Sequence, residues 1–404
     1  VIRPLSLSAL LLLGPWLPAQ DVRIVNGDNP VKFAVVTLDL PDSGKPGRPM
    51  LKEDNGGLTL PLQFDGAKKT ATVVVPKLGP KEKLDLAVFR SLDRKAVIPH
   101  FGFTDSADGL DYLRDGQPAL RFANAKRDGT TKDTHELTFK PFHHVFDPVK
   151  GETLLTNGPG LAANKDLLFP HHRGLFFAFN KVSYGDQKCD VWHGRNGEYV
   201  VVDKSVSQEA GDTYARQTAA LSWHGTKGDT FATELRTVSL YRAAGGHLID
   251  FESTVSTTLP SVKLDGDPQH AGFHFRAAME VAKNGKANTY YLRPDGKGKP
   301  GDTRNWDAKA KDPKTVNLPW DACSFVVKDQ RYTVLRVPHP TNPKETRGSE
   351  RDYGRFGDYF EWTLTPTTPL TVKYRVWVQP GEMTVEECQA IADGYAKSPT
   401  VKVG

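Results

Sequence analysis

Cysteine is scarce: Cys189, Cys323 and Cys388 are the only three in 404 residues. Their odd count and wide spacing exclude a disulfide scaffold and any Cys-x-x-Cys zinc or redox motif. They read as packing residues, with one pairing open and unassigned. Several signatures of nucleotide and hydrolase chemistry are also missing. The chain has no Gly-x-Ser-x-Gly elbow, no P-loop, no dinucleotide glycine fingerprint after a strand and no His-Glu-x-x-His. Charge of one sign is not concentrated anywhere. A net +5 is spread over 53 basic and 48 acidic residues, without the basic stripe that a nucleic-acid partner needs. Beyond the N-terminus no apolar run is long enough for a membrane-spanning helix, so no membrane span is expected in the mature protein.

The first twenty residues differ from the rest. One positive charge (Arg3), an apolar run and a small-residue exit at Ala19-Gln20 have the form of a secretory signal peptide. The run is too short to span a hydrocarbon core of about 30 Å; a single anchor is the alternative. An exported protein, periplasmic or extracellular, is the expectation.

From residue 21 onward the texture is β. Hydrophobic content is 38%, and 36 glycines with 29 prolines punctuate short Val/Phe/Tyr-rich runs, the pattern of strands joined by turns. Runs at 22–25, 33–40, 58–64, 70–75 and 84–89 predict a small immunoglobulin-like sandwich over 21–97. It is followed by one histidine, His100, and carries no clustered polar chemistry. Residues 98–404 continue with strand-like runs at 137–142, 199–202, 248–255, 332–337, 360–364 and 372–378. That is too many strands for an ordinary sandwich, and a large double-sheet fold is expected. The glycine-rich segment 295–302 reads as an exposed turn or lid. Near the end Thr384-Val385-Glu386-Glu387 forms a capping box, with Cys388, Ile391 and Ala392 on one side of the helix it starts. The fold class is therefore all-β, with a C-terminal helix serving as a latch.

Chemistry concentrates in the large domain, where eleven of the twelve histidines fall between His135 and His339. Pro170-His171-His172-Arg173-Gly174 has a proline and a glycine around an adjacent pair, which favours a turn able to aim both rings into one cleft. In His270-Ala271-Gly272-Phe273-His274-Phe275-Arg276 the alternation puts Ala271, Phe273 and Phe275 on one face. His270, His274 and Arg276 share the other; a helix would instead pair His270 with His274 as metal ligands. Asp190-Val191-Trp192-His193-Gly194-Arg195 brings a ring for sugar stacking and a guanidinium for an acidic group, ahead of a hairpin turn at Asn196-Gly197. His339 lies between two prolines, with Asn342 close behind. Tyr353 is flanked by Arg351 and Arg355, whose positive charge would acidify its phenol. Paired glycosidase carboxylates cannot be picked out, although Asp190, Glu198, Glu252 and Glu361 are available.

The series Phe142-His143, Asp147-Pro148, Gly151, Pro170 to Gly174, Trp192, Phe273 to Arg276, His339-Pro340, Asn342-Pro343, Arg351 and Tyr353-Gly354 resembles the PmoA-like bacterial family of unknown function. That family is common in exported proteins of planctomycetes and related bacteria. The resemblance covers roughly residues 100–380. Where members carry an acid and a histidine before the pair, Leu168-Phe169-Pro170 stands here. The family's methane-oxygenase label does not fit a chain without membrane spans. The company such families keep implies a carbohydrate-related role, and the double-sheet build is similar to the supersandwich of galactose-mutarotase-like proteins and polysaccharide lyases.

These readings lead to a carbohydrate or acidic glycan as partner, acted on by epimerisation, elimination or hydrolysis. His171, His172, Arg276, His339 and Tyr353 are the expected catalytic groups. Arg173, Trp192, His193, Arg195, His270, His274, Asn342 and Arg351 are expected to bind substrate. No cofactor is predicted. A non-catalytic glycan-binding or envelope protein is one alternative. A metalloenzyme using His171, His172, His270 and His274 is the other.

Overall fold

The computed structural model describes residues 21–53, 57–65, 67–91, 101–159, 168–267 and 269–404. The expected signal peptide and His100 lie outside the described residues. The chain is all-β; the described residues form antiparallel sheets of seven, eight, four and nine strands with three short α-helices. No helix among the described residues is long and apolar enough to cross a membrane.

The seven-stranded sheet is the N-terminal unit. It curls round a core that includes Ile24, Ala34, Leu51, Leu62, Val73 and Leu86. Two of its strands escape sequence reading. Arg48–Glu53 carries a proline inside the run. Thr400–Val403 comes from the far end of the chain and pairs with Asp21–Val25. The last residues thus belong with the first sheet, although the expected division at about residue 97 assigns them to the large domain. The C-terminal helix, Val385–Ala396, starts where the capping box predicts, with Thr384 accepting from Glu387 N–H. Its buried side, Cys388, Ile391 and Ala392, closes a joint with Phe33, Trp320 and Trp377. All three cysteines are free and buried.

The large unit is a double-sheet structure whose eight- and nine-stranded sheets share one core. Phe273 joins the two sheets, its ring centroid 4.6 Å from Phe251 and 4.4 Å from Tyr374. Strand alternation then decides what the other face of the eight-stranded sheet carries. Phe177 pairs with Phe273 and Phe176 with His274, so if one pair faces the inter-sheet core the other faces away from it. That outer face holds Phe176, His274, Arg276 and Arg355. Glycines make the close strand contacts possible. A Cβ on Gly357 would overlap the His274 ring and Phe273 O, and one on Gly174 (φ +36) would overlap His143 O.

One predicted strand is a helix. Residues 137–142 alternate, but Lys132–Thr138 is an α-helix capped by Thr131, whose hydroxyl accepts from Thr134 N–H. The local cap outweighs the apolar alternation. The strand begins later, at Phe142–Val145. Nor is Asn196-Gly197 the turn of a hairpin. Gln187–Cys189 pairs with Lys181–Tyr184, whereas Tyr199–Ala210 pairs with Tyr214–His224. Glu198 instead folds the loop back on itself by accepting from Asp190 N–H (3.1 Å) and Asn196 N–H (2.8 Å).

Candidate functional site

Loops over the outer face of the eight-stranded sheet bring four histidines together. The first loop is the Pro-His-His-Arg-Gly segment, which turns as its composition predicts: His172 N–H donates to Phe169 O at 2.9 Å. Asn157 fixes the turn from the side, its Nδ2 donating to His172 O at 3.0 Å while its own O accepts from Gly174 N–H at 2.7 Å. His171 and His172 therefore aim into one place, with ring centroids 4.2 Å apart.

His270 arrives from the residue before the strand Ala271–Arg276, and His193 from the loop after Gln187–Cys189. Their rings lie 4.9 Å apart, and His193 is 4.5 Å from His171. Each is oriented by an aspartate three residues earlier. His270 Nδ1 bonds the Asp267 carboxylate at 2.9 and 3.1 Å, and His193 Nδ1 bonds Asp190 Oδ2 at 2.7 Å. In both rings the carboxylate occupies Nδ1 and leaves Nε2 for other contacts. One ring nitrogen each from His171, His172 and His270 fall within 4.8 Å of one another. Nitrogens sharing a tetrahedral ion at about 2.05 Å are roughly 3.4 Å apart, so small side-chain rotations would close the set. His172 is buried, and neither of its ring nitrogens has a hydrogen-bond partner.

The surroundings keep this pair uncharged. Burial pushes His171 down to about 2, with His193, Lys140, His270 and Arg195 adding to it electrostatically. Burial also drives His172 well below the ordinary histidine range, with Arg355, His171, Arg276 and Lys140 adding to it. Neutral imidazoles are poor proton acceptors at such values but are the ligating form. The expected acid–base role of His171 and His172 is therefore not favoured. His193, with Asp190 behind it, is better placed for that task.

A cleft of about 380 Å³ opens onto the cluster, lined by Phe169, His171, His193, Arg195, Lys132 and Glu136 among others. Phe169 is 38% exposed and lies 5.3 Å from Tyr353 and 5.7 Å from His172, centroid to centroid. Tyr353 in turn packs on Arg276, whose guanidinium carbon is 4.6 Å from the ring centroid.

Several expected residues do other work. Trp192 is fully buried, a platform beneath His172, His270 and His274 rather than a surface for stacking sugar. Arg173 is spent on the carbonyls of Pro170, Leu137, Lys140 and Glu136, tying the turn to the C-terminal end of the helix Lys132–Thr138. His274 shares a face with Arg276, as the alternation predicts, but that face is sealed. Its Nε2 bonds Ala271 O and its Nδ1 bonds Arg355 Nη1, so the ligand pair His270/His274 does not form. Arg351 is turned to Asn305 Oδ1 at 2.6 Å. His339 and Asn342 lie elsewhere. His339 packs on Tyr395 of the C-terminal helix, and Asn342 bonds the backbone of Lys373.

Residues that sequence reasoning passed over complete the site. Lys140 is buried, its Nζ donating to Trp192 O at 2.6 Å. Burial, with Arg173 nearby, holds its pKa well below the usual lysine range. Asp267 orients His270, Asn157 fixes the turn, Arg355 lies under His274, and Phe169 supplies the exposed ring. A sequence signal existed for the aspartates, since Asp-x-x-His occurs at both 190–193 and 267–270.

Fold and site together define an all-β double-sheet protein with a histidine cluster at the base of a loop-lined cleft. The chain belongs to the family of unknown function DUF6807, whose model matches residues 109–393. No curated protein matches it. Among solved structures, an alpha-mannosidase from Enterococcus faecalis V583 matches with a TM-score of 0.40 and 11% identity, over 96% of this chain and 46% of that one. The chain thus spans less than half of that protein's length, and a likeness at this level bears on neither substrate nor reaction.

Proposed function

We propose that this protein is a metal-dependent enzyme whose centre is held by His171, His172 and His270, with a carbohydrate as substrate. The observation that carries the reading is the convergence of three ring nitrogens within 4.8 Å. Two features support it: His172 is buried without a hydrogen-bond partner, and a carboxylate orients His270 from behind. Three imidazoles with a fourth position open to a cleft are the donor set of a catalytic zinc site, and they suit other divalent transition metals too. An ion there would polarise a substrate oxygen or lower the pKa of bound water. His193, backed by Asp190, stands beside His171 to take up or deliver the proton.

The carbohydrate half rests on the PmoA-like resemblance and on Phe169, whose exposed ring at the cleft offers a sugar an apolar face. The residues carrying that resemblance, roughly 100–380, overlap the DUF6807 match at 109–393. Export is proposed from the N-terminal twenty residues, and cell fractionation tests it.

The experiment is elemental analysis of protein purified without a histidine tag, next to a His171→Ala/His172→Ala variant. About one equivalent of a divalent metal, lost in the variant, is expected. No metal in native protein, and none taken up after incubation with Zn²⁺, Mn²⁺, Fe²⁺ or Ni²⁺, would overturn the reading. Bound metal with glycan binding but no turnover across a glycan library would make it a lectin-like protein instead.

A further inference from the structure

Four buried arginines of this fold share one habit. Arg236, Arg293, Arg336 and Arg375 are each at most 4% exposed, and each sets its Nε/Nη2 edge against a carboxylate. The partners are Glu234, Glu350, Asp321 and Asp250. This is the two-pronged geometry in which a guanidinium best matches two carboxylate oxygens.

Arg276 breaks the habit. It is fully buried, and only its Nη1 is engaged, donating to Ala277 O at 2.9 Å and Tyr353 O at 2.6 Å. The whole Nε/Nη2 edge, the one its four counterparts give to an acid, is buried with no hydrogen-bond partner. A second buried cation lies beside it. Arg355 bonds Gln269 O, His274 and Ser349. Among the described residues neither arginine pairs with a carboxylate, and both bear electrostatically on His172. Positive charge left uncompensated in a buried site is costly. A dication on the neighbouring histidines would add to it, so a bound anion is the natural compensation.

We infer that the Nε/Nη2 edge of Arg276 is a carboxylate-binding subsite, and that the substrate is an acidic one, a uronate-type sugar, gripped there beside the histidine centre. The inference rests on the metal-centre reading for where the rest of the substrate lies. The carboxylate is assigned to the substrate because no acid among the described residues lies against that edge. Tyr353 lies over the guanidinium and Phe169 over Tyr353, so this pair of rings must shift to admit the group.

The test is isothermal titration of the full-length, metal-loaded protein with D-glucuronate, D-glucose and inorganic sulfate. The same titrations are run on Arg276→Lys and Arg276→Gln, with metal content measured in every sample. Native protein should bind glucuronate at least tenfold more tightly than either glucose or sulfate. Arg276→Lys, which keeps the charge but loses the fork, should weaken glucuronate at least tenfold, and Arg276→Gln should abolish it, both with metal content unchanged. Glucose or sulfate binding as tightly as glucuronate would overturn the inference, and so would undiminished glucuronate binding by a folded Arg276→Gln. The native-protein comparison decides even if the variants do not fold. Native protein that takes up no metal refutes the reading beneath; metal-loaded protein that ignores glucuronate refutes the carboxylate subsite alone.

Discussion

Replacing Asp267 by asparagine tests whether the histidine cluster is a metal centre or a packing accident. The Asp267 carboxylate accepts at both oxygens. Oδ1 takes Gln269 N–H at 2.9 Å and His270 Nδ1 at 2.9 Å, while Oδ2 takes Asn180 Nδ2 at 2.8 Å and His270 Nδ1 at 3.1 Å. An asparagine has the same size but one acceptor oxygen, so its NH₂ must face a donor: Asn180 on one side, or Gln269 N–H and the imidazole on the other. The imidazole loses either its orienting partner or the charge that made its far nitrogen basic. Outer-shell changes of this kind weaken metal binding roughly 10- to 100-fold, about 1.4–2.7 kcal/mol. The Asp267 side chain is 36% exposed, and solvent screening points to the lower end of that range. The assay is competition for Zn²⁺ against a chromogenic chelator, native protein against Asp267→Asn, with circular dichroism confirming that both are folded. Equal affinity within twofold in a folded variant would refute the argument, because it would mean that His270 is not a ligand oriented by Asp267.

Three further outcomes follow from the fold. Arg336 bonds Asp321 (3.0 Å) and forms an ion pair with Asp358 (2.9 Å) in full burial, so Arg336→Met strands two carboxylates. The expected loss is about 3–5 kcal/mol in urea denaturation; less than 1 kcal/mol would show that the acids take up protons at little cost. Gly357→Ala drives a methyl into the His274 ring and Phe273 O, for an expected loss of about 1–3 kcal/mol, and an unchanged denaturation midpoint would refute the packing argument. Asp147 accepts from four backbone N–H groups, of Val149, Lys150, Glu152 and Thr153. Burial raises its pKa, but those bonds together outweigh burial and hold it below the usual aspartate value. A depressed folded-state pKa means stability that is complete above the unfolded value of about 3.9 and lost as pH falls through the folded one. Asp147→Asn should therefore be less stable than native protein at pH 7, by about 1–2 kcal/mol, and the gap should close in acid; a gap independent of pH would refute the assignment.

How much of this was legible in the sequence depends on the range of the interaction involved. Alternation and turn residues are local, so the strands around 248–255, 332–337 and 372–378 were readable, as was the helix behind Thr384. The His171-His172 turn was legible for the same reason, since Pro170 and Gly174 act within a few residues. What failed were judgements about the third dimension. Trp192, Arg173 and His274 are chemically suited to bind sugar, but whether a suitable residue faces a cleft or a core is decided by loops far away in sequence. His339 and Asn342 look like site residues by composition, yet His339 packs on Tyr395 of the C-terminal helix and Asn342 bonds the backbone of Lys373.

The most informative case is Arg276, whose importance lay in a relation rather than in a type. Sequence reading found an arginine on the polar face of a strand and counted it among the catalytic groups. It could not see that Arg236, Arg293, Arg336 and Arg375 already have their acids, because the pairing partner lies 2 residues away for Arg236 (Glu234), 57 for Arg293 (Glu350) and 125 for Arg375 (Asp250). Only when those pairs are closed does the unpartnered Nε/Nη2 edge of Arg276 stand out. A site that looks, on composition, like histidine chemistry thus turns out to hold two separable demands, neutral imidazoles suited to a cation and a buried cationic fork suited to an acid. A substrate that brings a carboxylate to a metal-bearing cleft satisfies both at once, and neither demand alone would select it.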